Sequence, residues 1–462
     1  MKYCFVNNGC PSQSVLLCLL VAVFVARTEI AYSFSAPAHT HTHTHTHKHT
    51  SSTYTSTTTK YNGIGRNNVA LKVATGMVAP PPVLEDETKT SSIKTTNENN
   101  NDLLSYDKEG YPKLGSIMKA LPDEVFQVST KTSLFYFAID SIAVIASIGL
   151  LHGVVTSNIY HSLALWQQAL TVAPFQLLAG FAMWCQWCIG HDAGHSLISK
   201  KHKWLNSFVG EISHSMFCLT PFIPWQMSHR KHHINHNHVE KDYSHQWFVR
   251  ENKDEMVWWM KASHATRNIQ LPILYFVYLM VGVPDGGHVI PFYGRLWEDQ
   301  TLKTKFRGLL SSCLSIATAG SLWKYMGTAD FSVVCMVPWM VMSFWLFMVT
   351  YLQHHSEEGK LYTDKTHTFV KGAFETVDRS YGKWTNKLSH HMMDGHVMHH
   401  LFFEKVPHYQ LEKATKSLTA VLQKEDRMDL YKSIETKSYT KEIVKQFNDN
   451  WFFVNEKQII RE

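Results

Sequence analysis

Residues 165–195 read LWQQALTVAPFQLLAGFAMWCQWCIGHDAGH. From Leu165 to Ile189 there is no charged side chain, and the run exceeds the roughly 20 apolar residues that carry a helix across a bilayer. His191 and His195 follow at once. Four residues apart, they share one face if the helix continues. The stretch therefore predicts a membrane helix that delivers two imidazoles to its end.

A second apolar stretch, Leu134–Val155, lies just upstream and predicts the other arm of a hairpin. Phe331–Leu352 is a third, and the weaker Leu309–Met326, which carries Lys324, pairs with it as a second hairpin. Phe208–Trp225 and Leu271–Pro284 are short or interrupted by polar residues, so they are expected to lie at the interface. The expected fold is an all-α integral membrane protein of four transmembrane helices in two hairpins, with a helical cap on one face. With that even number of spans, Lys200, Lys201, Lys203, Arg230, Lys231 and Lys241 fall on the same side, in keeping with the positive-inside tendency.

The whole-chain figures agree. Of 462 residues, 45% are hydrophobic and only 18% charged, against roughly 25% charged in an average soluble protein. The net charge of +6 without a long basic run excludes a dedicated nucleic-acid binder. The composition also excludes a disulfide scaffold, a collagen-like repeat and disorder throughout. Of the 8 cysteines, Cys4, Cys10 and Cys18 lie in a segment expected to be removed, which leaves an odd number. Cys185 and Cys188 form a C-x-x-C inside the apolar helix and read as packing residues rather than a redox pair.

The front of the chain reads as an address. Residues 14–26 (SVLLCLLVAVFVA) are followed by Ala31-Tyr32-Ser33, a signal-peptide pattern over 1–33. Residues 34–84 contain no Asp or Glu and are rich in Ser, Thr and His, the composition of a transit peptide. In tandem they resemble the bipartite plastid leader of algae with secondary plastids, such as diatoms; an ordinary secretory signal with a linker fits the same letters. His39, His41, His43, His45, His47 and His49 alternate mainly with Thr and read as low-complexity drift within that leader. Residues 85–110 read as a disordered linker.

Of the 29 histidines, three clusters carry chemistry: His191 and His195; His229, His232 and His233; His396, His399 and His400. Each cluster can aim two or three ring nitrogens at one point. Together they are too many for one four-coordinate zinc, and no thiolate accompanies them. Imidazole also suits iron, so the count points to two metal ions.

HDAGH (191–195), PWQMSHRKHHINHNHVEKD (224–242), TYLQHH (350–355), TVDRSYG (376–382) and HVMHHLFFEKVPHYQLEKAT (396–415), with the entry segment 111–140, resemble in order the signature stretches of the membrane-bound fatty acid desaturases, in their acyl-lipid ω-3/Δ12 branch. The resemblance implies a desaturase domain over 111–420 and leaves 421–462 as a C-terminal tail. It implies a non-haem diiron site held by His191, His195, His229, His232, His233, His396, His399 and His400, joined by His354, with O2 as co-substrate. His390 and His391 fall where the branch often carries His. Asp192 and Asp394 are candidate acceptors for ligand N–H groups; Arg230 and Lys231 are candidates to face lipid phosphates or an acidic electron donor.

The implied reaction removes two hydrogens from an acyl chain of a membrane glycerolipid, with two electrons from outside. No H-P-G-G haem motif occurs, so the donor is separate: ferredoxin in a plastid membrane, cytochrome b5 in the endoplasmic reticulum. NHNHVEKD and VPHYQLEKAT lie nearer the ω-3 pattern, which implies Δ15 desaturation of 18:2. Δ12 desaturation of 18:1 is the alternative, since Ala193 and Gln410 replace a usual Cys and His of the ω-3 type. A diiron hydroxylase would keep the same clusters. A histidine-rich metal transporter would place its ligands mid-span, whereas these lie beyond the spans.

Overall fold

The computed structural model describes residues 103–462 except 243–244, 246, 257, 271–278, 280–287, 290, 293 and 436–437. The leader, most of the linker and nearly all of Leu271–Pro284 thus lie outside the described residues. The described chain is mostly helical, with a few strands of two to four residues.

After a short helix α1 (Leu114–Ala120), the long helix α2 (Thr130–Val155) begins where Ser129 Oγ accepts a hydrogen bond from the Thr132 amide at 3.3 Å. That cap satisfies one of the orphan donors at a helix start. Helix α3 (Leu165–Gly194) runs through Pro174, a residue that membrane helices tolerate because neighbours re-satisfy the freed carbonyl. Helix α4 (Lys203–Gly210) passes into a π-turn at Glu211–Phe217, and α5 (Phe222–Asn235) starts directly after Pro221.

Helix α6 (Leu302–Phe331) is joined through a second π-turn, Ser332–Met336, to α7 (Val337–His354). Among the described residues, three helical runs are long and apolar enough to cross a membrane: Thr130–Val155, Leu165–Gly194 and Leu302–His354, the last 53 residues long. This third run is not straight. Gly327 adopts φ +78°, which an L side chain rarely allows. Met326 Sδ and Cys335 Sγ are 3.9 Å apart, whereas nine residues of straight helix advance about 13.5 Å. The chain turns back there.

Helix α3 is central, packing against α2, α4, α7 and the first π-turn. Its approach to α7 depends on Gly180, where an added Cβ would sit 2.4 Å from Val341 Cβ. Trp184, Trp187, Met342, Leu346 and Phe347 fill the resulting core together with Val397 and Met398. Those last two lie on α9 (His396–Leu401), which follows α8 (Phe369–Phe374) and precedes α10 (His408–Lys424).

The C-terminal segment is sewn onto this body. It contributes α11 (Tyr439–Asp449) and one strand to each of three parallel ladders: β1 (Phe248–Val249) with β5 (Phe453–Val454), β2 (Leu361–Tyr362) with β6 (Ile459–Ile460), and β3 (Val377–Ser380) with β4 (Lys432–Glu435). Phe447, Trp451 and Phe453 are buried, and Arg379, itself buried, pairs with Glu442 of α11.

Candidate metal centre

Four elements supply the histidines: the end of α3, helix α5, the end of α7, and α9. Helical geometry sorts them into two sets. Residues four apart share a face, while adjacent residues diverge by about 100°. In α5, His229 and His233 therefore point one way and His232 another. In α9, His396 and His400 share a face and His399 leaves it.

The structure brings the imidazoles together accordingly. In one set His191, His195, His229, His233 and His399 place a ring nitrogen each within 4.8 Å of all the others. His232, His354 and His400 do the same in the second. His396 joins the second set, its Nε2 lying 3.2 Å from His354 Nε2. The sets are adjacent, with the rings of His233 and His400 4.2 Å apart.

The nitrogen spacing tests whether a metal fits. His233 Nε2 is 2.9 Å from His229 Nε2 and 3.1 Å from His399 Nε2; His232 Nε2 is 3.3 Å from His354 Nε2. Neighbouring ligands on an octahedral ion with bonds near 2.1 Å lie about 3.0 Å apart. The all-imidazole donor set suits iron. His400 also keeps both ring nitrogens buried without a hydrogen-bond partner, an arrangement that is costly unless something else satisfies them.

Protonation agrees with ligation. Burial pushes His232 and His396 down to about 3. Burial, reinforced by neighbouring imidazoles, holds His229, His233, His399 and His400 well below the usual histidine range. Each is neutral at pH 7, the form that binds a metal. Two orienting contacts fix tautomers. His396 Nδ1 donates to the Met392 carbonyl at 3.0 Å, which leaves Nε2 with the lone pair. His232 Nδ1 lies 2.9 Å from Asp242 Oδ1, so its Nε2 likewise faces the set.

The remaining sequence candidates take other places. Asp192 Oδ1 lies 3.8 Å from His191 Nδ1, and its Oδ2 accepts from His408, whose backbone amide is at 2.9 Å and Nδ1 at 2.8 Å. Asp394 receives Asn386 and His391. His390 pairs with Asp140 at 2.7 Å, so neither His390 nor His391 reaches either set. Arg230 pairs with Glu404. Cys185 and Cys188 are free and buried.

Sequence reasoning missed three neighbours. Asp242 was read only as part of a motif. His236 is buried with its Nδ1 3.5 Å from Asp242 Oδ2 and its ring 4.6 Å from those of His354 and His400; its i+4 spacing from His232 was a usable signal. His245, 4.3 Å from the His232 ring, lies in an irregular stretch where spacing carries no information.

Beside both sets lies a small, largely apolar cavity. Trp184, Trp187, Trp225, Leu346, Val349 and Met392 form its apolar wall, and five of the clustered imidazoles border it. The Trp184 indole is fixed by donating to Ser389 Oγ at 3.0 Å.

Comparison with known proteins bears on this site. A family model described as fatty acid desaturase matches residues 167–431. The chain is 31% identical over 370 residues to the Δ12 fatty acid desaturase fat-2 of Caenorhabditis elegans, covering 77% of this chain and 89% of that one. It is 34% identical over 338 residues to the sn-1 acyl-lipid ω-3 desaturase (ferredoxin) of Nostoc sp., covering 70% and 86%. It is also 35% identical over 322 residues to the acyl-lipid ω-3 desaturase (cytochrome b5), endoplasmic reticulum, of Arabidopsis thaliana, covering 67% and 76%.

Proposed function

The chain belongs to the fatty acid desaturase family, and from that premise we propose that it is a diiron enzyme forming an ω-3 double bond in the acyl chains of membrane glycerolipids. Fatty acid desaturation is what the family and its relatives are named for, and two of those relatives are named acyl-lipid desaturases. The observation that carries the diiron reading is the sorting of nine buried or half-buried imidazoles into two sets beside one apolar cavity.

His191, His195, His229, His233 and His399 would hold one iron, and His232, His354, His396 and His400 the other. Bound iron would supply, with O2, an oxidant strong enough to break an unactivated C–H bond, which no side-chain acid or base can do. The protein's own part is positioning. Asp242 and the Met392 carbonyl orient His232 and His396. The indoles of Trp184, Trp187 and Trp225 confine the acyl chain against the imidazoles and exclude water.

The four-span arrangement is part of this reading. The reversal at Gly327 divides the third apolar run into two arms, α6 and α7, and α2 and α3 are the other pair. The helices bearing the second and third clusters then form the cap on one face of the membrane. The ω-3 assignment rests on NHNHVEKD and VPHYQLEKAT, with Δ12 as the alternative that a Δ12 relative keeps open. The acid-free leader supports a plastid membrane and ferredoxin as donor, with residues 1–84 removed and 85–110 a linker ahead of the catalytic domain.

Lipid analysis after expression from about residue 85 in a cyanobacterial host tests the proposal, with His399→Ala as the inactive control. We expect 18:3 bearing an ω-3 double bond. Additional 18:2 drawn from 18:1 would make it a Δ12 enzyme, and a hydroxylated product would move it to the hydroxylases.

A further inference from the structure

Two cavities meet at His354. One is the apolar cavity beside both sets. The other lies under the C-terminal segment with His354 and His355 at its floor. Its rim carries Glu357, Asp449 and Lys457, which are exposed, while the two histidines below are 3% and 6% exposed. It is a polar shaft from the surface to one proposed ligand. Among the clustered imidazoles, His354 is the one that borders it.

His355 is the next residue in the chain but belongs to neither set. Its ring is stacked on Tyr351 at 3.8 Å and lies against Trp247 at 3.9 Å. The face contacts of an aromatic stack hold it rigidly beside the His354 backbone. Asn237, Asn450 and Asn455 line the walls with amides beside Trp247, Leu361, Phe453 and Val454, and charged side chains ring the mouth, so the shaft is more polar than the cavity beside the two sets.

The reaction needs a second approach. Forming one double bond reduces O2 to two waters using two electrons from the acyl C–H bonds, two from outside, and two protons from solvent. The substrate would occupy the apolar cavity, and a donor protein, too large to enter either cavity, must bring its redox group to a surface close to the two sets.

Resting on the desaturase reading above, we propose that the polar shaft is the port at which a one-electron redox protein docks, with His355 bridging donor and His354. Each encounter would oxidise the donor by one electron, which bound ferric iron would accept to become ferrous. No bond forms or breaks in that step, and two encounters serve one double bond.

Anaerobic stopped-flow on the oxidised, iron-loaded enzyme in nanodiscs tests this. Reduced ferredoxin and reduced cytochrome b5 are separate arms, each followed by its own absorbance, and dithionite serves as a small reductant. Ser356→Trp narrows the shaft from a residue that lines it; His355→Ala removes the bridge, and His355→Phe keeps the stack. With whichever protein reduces the wild type, the first two variants are expected to slow reduction on the order of tenfold, with His355→Phe near the wild-type rate. Iron content and the dithionite rate should not change. Equal donor rates in Ser356→Trp and wild type would overturn the port, as would reduction by dithionite but by neither protein. A wild-type enzyme that binds no iron would instead sink the desaturase reading itself.

Discussion

Asp242 holds its carboxylate 2.9 Å from His232 Nδ1 while both are buried, so the site depends on a residue that touches no metal. Asp242→Asn keeps the shape and loses the charge; it is expected to weaken metal binding about 10–100-fold, measured by chelator competition. His391 is the contrast. It points to Asp394 and Glu412, and its φ of +57° suits Asn, so His391→Asn should retain wild-type iron content and product yield. Spacing made the clusters legible, because i,i+4 identity on a helix is fixed by the backbone. It could not reveal Asp242 or His245 as neighbours of His232, nor separate His354 from His355. Those relations arise between elements, where sequence distance says nothing.

The spans were legible as elements because long uncharged runs have few other uses. The end of α3 beyond the apolar run was readable from the His191/His195 spacing, but the start of α2 at Thr130 was not, since the Ser129 cap lies outside the apolar stretch. The tail was hardly legible, because strands of two residues leave no period to read. Yet it forms one wall of the cavity that reaches His354. The contact of α3 with α7 is the element on which both sets lean, since α3 carries His191 and α7 ends at His354. Gly180→Leu would force these helices apart at Val341. It is expected to cost about 1–3 kcal/mol and to lower iron content as well, read by thermal unfolding and metal analysis of the same preparation.

At the scale of the whole molecule, the body stores many neutral imidazoles in its interior, and pH should expose that. His232, His236 and His396 are held near 3 by burial, against about 6.5 in an unfolded chain. A depressed folded-state value means the stability is present above 6.5 and is lost as pH falls below it, because the unfolded chain then binds protons that the folded one does not. The chelator-treated protein should therefore unfold at a distinctly lower temperature near pH 5.5 than near pH 7.5, with bound metal raising both temperatures. The family was readable from the order of its motifs, and the helical character with its long apolar runs from hydropathy. The pairing of clusters into two sets was not, because it needs α3, α5, α7 and α9 assembled. That assembly is tested most directly by counting iron in the purified, iron-reconstituted enzyme alongside His354→Ala and His399→Ala. Two irons per chain in the wild type, with loss of one site in each variant and distinct Mössbauer signals remaining, is the predicted result. A single iron in the wild type, or the same residual signal in both variants, would contradict it.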